Sequence, residues 1–146
     1  MKTFWVLAIL FSLVAGYITV IGNRALKPEF EIVLAGKVFL VDIAHTQQKQ
    51  AKGLSGIKRF ADNEGLLFIF DHDDTLGIWM KDMLLPIDIL WFNREGVLVD
   101  YVENISPDTF PEVYSPKENA RYVLELNAGI REKYNIELGE LFTLPE

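Results

Sequence analysis

The chain has 146 residues, half of them hydrophobic and 24% charged, which is enough for one domain with its own core. It has no cysteine, which excludes disulfides, thiol nucleophiles and cysteine-held zinc or iron–sulfur clusters. Three of the 14 basic residues (Lys2, Arg24 and Lys27) precede Pro28 and all 21 acidic residues follow it, so the part from Pro28 onward carries a net charge of −10. Such a field repels phosphates, so no nucleic acid is expected as a partner.

Phe4 to Gly22 contains no charged residue. At ~1.5 Å rise per residue it would extend about 29 Å as a helix, close to one hydrocarbon core. A soluble helix of that length shows a polar face, and this one has only Ser12 and Thr19. Residues 1–22 are therefore expected to be a transmembrane anchor or signal segment. The apolar run is longer than that of most cleaved signals and lacks an Ala-x-Ala site, which favours the uncleaved anchor. The membrane is the partner this implies, with the domain held on its extracytoplasmic side or exported. Residues 23–29, ending at Pro28-Glu29, read as a linker.

From residue 30 to 146 the pattern is that of a mostly β domain. Phe30–Leu34 and Val38–Ile43 read as strands joined by Ala35-Gly36-Lys37 in a hairpin. Thr46 is placed to cap a short helix, Gln47–Lys52, that stops at Gly53. Leu66–Phe70 and Leu76–Met80 read as strands around an acidic turn at Asp71–Thr75. Ile87–Phe92 and Val97–Val102 flank a second hairpin turn at Asn93–Gly96. The 16 residues from Asn104 to Asn119 carry Pro107, Pro111 and Pro116 and read as a long loop. Tyr122–Leu126 is another strand, Asn127 is placed to cap a helix reaching Tyr134, and Leu141–Leu144 is a last strand. Seven or eight short strands with two short helices predict a small β-sandwich or barrel, with Leu66–Phe70 and Ile87–Phe92 central because they are apolar on both faces.

Three groupings carry candidate chemistry. Trp79-Met80-Lys81-Asp82 ends an apolar strand with an indole, a thioether and two opposite charges. That set suits a ligand shelf, with the Pro107–Pro116 loop as a wall; the alternative is that Trp79 and Met80 pack in the core while Lys81 and Asp82 turn the chain. Asp88 shares a strand face with Leu90 and Phe92, and Glu125 shares one with Val123. Two half-buried carboxylates can divide acid and base roles, or each can be held structurally by a cation (Lys81 or Arg121 for Asp88) or by backbone N–H groups. Asp71-His72-Asp73-Asp74 concentrates oxygen and imidazole donors but lacks the calcium-loop pattern, so an exposed turn is expected. No serine-triad, zinc-protease or phosphate-loop motif is present, and no cofactor or metal is expected.

Several segments together are distinctive: Ala51-Lys52-Gly53-Leu54, Glu64 to Phe70, Trp79 to Met83, Leu85-Pro86-Ile87-Asp88-Ile89, Leu124 to Gly129, and Leu138-Gly139. In their order and spacing the chain resembles domain-of-unknown-function family 192, whose members often carry Asn at the position of Asp82 and Met at that of Leu66. The resemblance implies a compact, mostly β domain, often exported or tethered, and brings no reaction, cofactor or catalytic residue with it. The expectation is a membrane-tethered or exported binding or accessory domain for an unknown small-molecule or polymer ligand. The alternative is a hydrolase using Asp88 and Glu125, or a metal near His72.

Overall fold

The computed structural model describes residues 26–143. The expected anchor, and the linker before Leu26, lie outside the described residues. Among the described residues no helix is long and apolar enough to cross a membrane.

Among the described residues the architecture is mostly β, with eight strands and two short helices. Strands β1 (Phe30–Leu34) and β2 (Lys37–Ala44) form the expected hairpin. Its turn residues Ala35 and Gly36 both have positive φ, 49° and 69°, the backbone handedness that suits a twisted two-residue hairpin. Helix α1 (Gln47–Lys52) follows, with Thr46 Oγ1 accepting from Lys49 N–H at 3.3 Å. It buries no residue. Polar side chains fasten it instead: Gln50 Nε2 donates to Ile69 O at 2.9 Å, and Lys49 Nζ to Ile43 O at 3.0 Å.

Then come β3 (Glu64–Asp74), β4 (Ile78–Trp79), β5 (Ile87–Phe92), β6 (Leu98–Ile105), a 3-10 turn at Pro107–Thr109, β7 (Val113–Tyr114), β8 (Ala120–Asn127) and helix α2 (Ile130–Lys133). Six strands make one sheet in the order β1-β2-β3-β8-β5-β6, and β4 pairs β7 in a separate two-stranded ribbon. Among the described strands only β2 and β3 run parallel, which α1 permits by carrying the chain across between them.

Both faces of the central strands are covered. All six residues of β5 are buried, as its apolar run predicts. On one face Leu66, Phe68, Ile89, Trp91 and Val123 pack under Leu54, Ile57, Ile78 and Met80. The Trp91 indole is satisfied there by Leu76 O at 2.8 Å. On the other face Leu67, Leu90, Phe92, Leu124 and Leu126 meet Ile32, Leu34, Phe39 and Val41 from the first hairpin. Residues from opposite ends of the strand order thus share one cluster, so the sheet curls.

The sandwich or barrel expectation gives way to this open, curled sheet. Periodicity identified the central strands but not what covers them, and the covering comes from the curl, from loops and from the short β4–β7 ribbon rather than from a full second sheet. Between the sheet's edges runs the C-terminal segment, not a full strand: Leu141 bridges Val97, and Thr143 bridges Val33. The acidic stretch Asp71–Asp74 is the exposed end of β3 rather than a turn. The long proline-bearing loop is partly ordered by β7, whose partner β4 is shorter than the strand expected at Leu76–Met80. Asn127 does not cap a helix. It ends β8 and donates from Nδ2 to Phe60 O at 2.9 Å, while α2 starts after Gly129.

Candidate functional site

The register separates the two carboxylates that the sequence suggested as a pair. Asp88 lies opposite Leu126 and Glu125 opposite Ile89. Cross-strand partners point the same way and successive residues alternate, so Asp88 and Glu125 project from opposite faces of the sheet.

Asp88 is 0% exposed and saturated with hydrogen bonds. Its Oδ1 accepts from Asn104 N at 2.9 Å and Gly129 N at 3.1 Å, and its Oδ2 from Arg131 N at 2.9 Å. The β5–β6 ladder is irregular between Ile87 and Ile89, beside Asn104 in β6, and the Asn104 N–H bonds the carboxylate there. The expected cation partners are both elsewhere. Arg121 pairs with Asp73 at 2.6 Å, and Lys81 Nζ stands 5.7 Å from the Trp79 ring centroid. Backbone N–H groups take the place of the cation, and Asp88 pins three chain segments together.

Glu125 is the opposite case. It is 3% exposed, flanked in the sheet by Leu66 of β3 and Ile89 of β5, and its Oε2 has no hydrogen-bond partner among the described residues. Burial among apolar neighbours pushes its carboxyl up to about 8, so at neutral pH it is mainly the uncharged acid.

This carboxyl lines a cavity of about 60 Å³ shared with Gly53, Phe68, Trp79, Lys81 and Lys52. Gly53 has φ 47° and ψ −139°, a conformation open in practice to glycine alone. A Cβ on it would lie 3.5 Å from Phe68 Cζ and 3.9 Å from Glu125 Oε2, filling part of the cavity. Two neighbouring hollows share Lys52 and Gly53 but have Asp42 as their carboxylate. Asp42 already accepts from Ile43 N at 2.8 Å and lies 3.8 Å from Lys49 Nζ.

Of the expected shelf, Trp79 and Lys81 line the cavity and Met80 and Asp82 do not. Trp79 is 48% exposed, so it is not a core residue, whereas Met80 is 1% exposed and is one. The indole meets Phe110 of the long loop edge-on at 5.8 Å, which extends the aromatic wall without closing the cavity. Asp82 has φ 56°, a left-handed conformation that Asp and Asn tolerate better than most residues. Its carbonyl accepts from Gly56 N at 2.9 Å, and Ser55 Oγ donates to Lys81 O at 2.9 Å. These two bonds fix the turn that carries Lys81 against the turn after α1. The role of Asp82 in that geometry is conformational.

His72 is exposed, with Nε2 3.8 Å from Asp74 Oδ2. Among the described residues no group of three or more His, Asp or Glu is placed to hold a metal ion. The residues that sequence reasoning missed are Lys52, Gly53 and Phe68. Their one legible signal is a glycine directly after a short helix, within the distinctive segment Ala51 to Leu54.

A curled β-sheet domain with a loop-built cavity on one face defines the class. The chain belongs to the family described as Uncharacterized ACR (DUF192), whose pattern matches residues 30–144. It is 30% identical over 105 residues to a UPF0127 protein of Thermococcus gammatolerans, covering 70% of this chain and 65% of that protein. With a UPF0127 protein of Thermococcus kodakarensis the identity is 29% over 110 residues, covering 74% of this chain and 64% of the other. The match thus spans just under two thirds of the length of those relatives. Among solved structures, a Sinorhizobium meliloti protein described as a candidate transcription regulator aligns with a TM-score of 0.74 at 26% identity, covering 82% of this chain and 96% of that one. A Novosphingobium aromaticivorans protein of unknown function aligns with a TM-score of 0.74 at 25% identity, covering 77% and 83%.

Proposed function

We propose that the chain is a binding or accessory domain, tethered to a membrane or exported by its N-terminal segment, whose ligand enters the cavity between Trp79 and Glu125. The observation that carries this reading is a buried acid with an unanswered Oε2, lining a cavity beside a half-exposed indole. Buried polar atoms are nearly always satisfied, and those that are not concentrate where something binds or reacts. An aromatic wall with a few convergent polar groups is the usual make-up of a small-ligand site. The hydrolase alternative loses its carboxylate pair, because Asp88 is on the other face and fully bonded. The regulator description of the Sinorhizobium protein is not adopted, since a net charge of −10 after Pro28 opposes phosphate binding.

A thermal-shift screen of the full-length chain in detergent against small polar metabolites is expected to yield ligands that raise the melting temperature. Trp79→Ala should abolish those shifts while costing no more than about 1–2 kcal/mol of stability, because half of the ring is already in water. Shifts that survive Trp79→Ala would place the ligand elsewhere and overturn the site. The tether has its own test: the full-length chain should stay with membranes through an alkaline carbonate wash, and its release with the N-terminus intact would refute the anchor.

A further inference from the structure

Three ionisable groups line the cavity. Glu125 Oε2, at the buried end, has no hydrogen bond. Lys81 and Lys52, at the exposed end, form no ion pair among the described residues. Neither lysine forms an ion pair with the acid. An acid oxygen without a hydrogen bond inside, and two exposed ammonium groups without an ion pair outside (Lys81 beside the Trp79 ring), are therefore separated along one short cavity.

We propose that the cavity takes a small zwitterion, its primary ammonium seated against Glu125 and its carboxylate held at the rim by Lys81 and Lys52. This rests on the cavity being the binding site and names the chemical class of its ligand. A neutral hydroxyl would answer Glu125 and leave the lysines unanswered. An anion would answer the lysines and leave Glu125, and a bare cation would do the reverse. A zwitterion answers all three.

Size agrees with that division. The cavity is small, about 60 Å³, which suits an aminomethyl end with the carboxylate left at the rim. Phe68 and Trp79 are among the walls, and aromatic rings attract cations. The sheet neighbours of Glu125, Leu66 and Ile89, are uncharged, and Lys52 and Lys81 are the other titratable groups lining the cavity. On binding, the neutral Glu125 carboxyl gives its proton to the buffer and pairs, as carboxylate, with the incoming ammonium. One proton leaves for each ligand bound.

The test is calorimetric titration of the full-length chain in detergent at pH 6.5, in two buffers of different ionisation enthalpy. The probes are glycine, β-alanine and 4-aminobutyrate, with methylamine, acetate and glycerol as single-function controls. The expected result is binding of at least one zwitterion at least tenfold tighter than any control, with release of close to one proton. Glu125→Gln should fold, abolish binding and abolish the release. Lys81→Met should weaken the zwitterion at least fivefold and leave methylamine unchanged. Binding without proton release, tighter binding of glycerol or acetate, or silence from all three zwitterions would overturn the inference. A ligand from the wider screen that is neutral and still needs Trp79 would overturn the zwitterion alone. Loss of Trp79 dependence would remove the site itself.

Discussion

Asp88 and Glu125 sit on neighbouring strands, one residue apart in register, and both are withdrawn from water. Asp88 receives three backbone N–H groups, from β6, from the turn before α2, and from α2 itself. Glu125 receives none at Oε2 and faces a cavity instead. Burial is therefore common to both carboxylates, and what separates them is the balance of hydrogen bonds. A saturated carboxylate holds chain segments in place. An unsaturated one is a standing cost, about 1–3 kcal/mol for a neutral polar group, and that cost is recovered when a ligand or water arrives.

The largest expected effect follows from removing the saturated member. Asp88→Ala leaves three part-buried N–H groups without their acceptor and unties three segments at once. Urea denaturation should show a loss of about 3–5 kcal/mol, with Asp88→Asn recovering only part because an amide oxygen accepts fewer bonds. A loss below about 1 kcal/mol would mean the segments hold without the carboxylate, and the contrast with Glu125 would collapse.

How far the sequence disclosed this contrast depends on which residue is considered. The alternation of Asp88 with Leu90 and Phe92, and of Glu125 with Val123, showed that each carboxylate lies on an apolar strand face. It could not show that the faces differ, because that requires the β5–β8 register, and pairing across 37 residues leaves no local trace. Thr46, Gly53 and the two hairpin turns were legible since caps and turns are fixed by neighbouring residues. The cavity was half legible: Trp79 and Lys81 stood out by type, whereas Lys52 and Phe68 reach it only through the crossover from β2 to β3. The ribbon of β4 and β7 was hidden for the same reason, each half being two residues long.

Acidity sharpens the comparison next. Folded Glu125 keeps its proton up to about pH 8, while a glutamate in the unfolded chain releases it near pH 4.5. Between those values the native state binds the extra proton, so this residue's contribution is full below the window and is lost as pH rises through it. Stability should fall by a few kcal/mol between about pH 5 and 8. Glu125→Gln, which cannot ionise, should flatten that slope and melt higher than the native chain at pH 8. An unchanged slope would assign the pH dependence to other groups and leave Glu125 without its special status.

The smallest effect belongs to a carboxylate that is neither saturated inside nor stranded. Asp73 meets Arg121 at 2.6 Å near the exposed end of β3, with side-chain exposures of 34% and 21%. Water already solvates both groups, salt screens them, and holding two side chains together costs entropy, so such pairs contribute about 0–1 kcal/mol. Asp73→Ala should lower stability by less than about 1 kcal/mol, and 1 M salt should shrink the difference further. Its melting temperature should not share the pH window of Glu125, nor approach the loss at Asp88. If Asp73→Ala were as costly as Asp88→Ala, charge pairing rather than backbone N–H donation would be what these carboxylates supply. The unpaired oxygen of Glu125 would then mark a local defect in the sheet instead of a site.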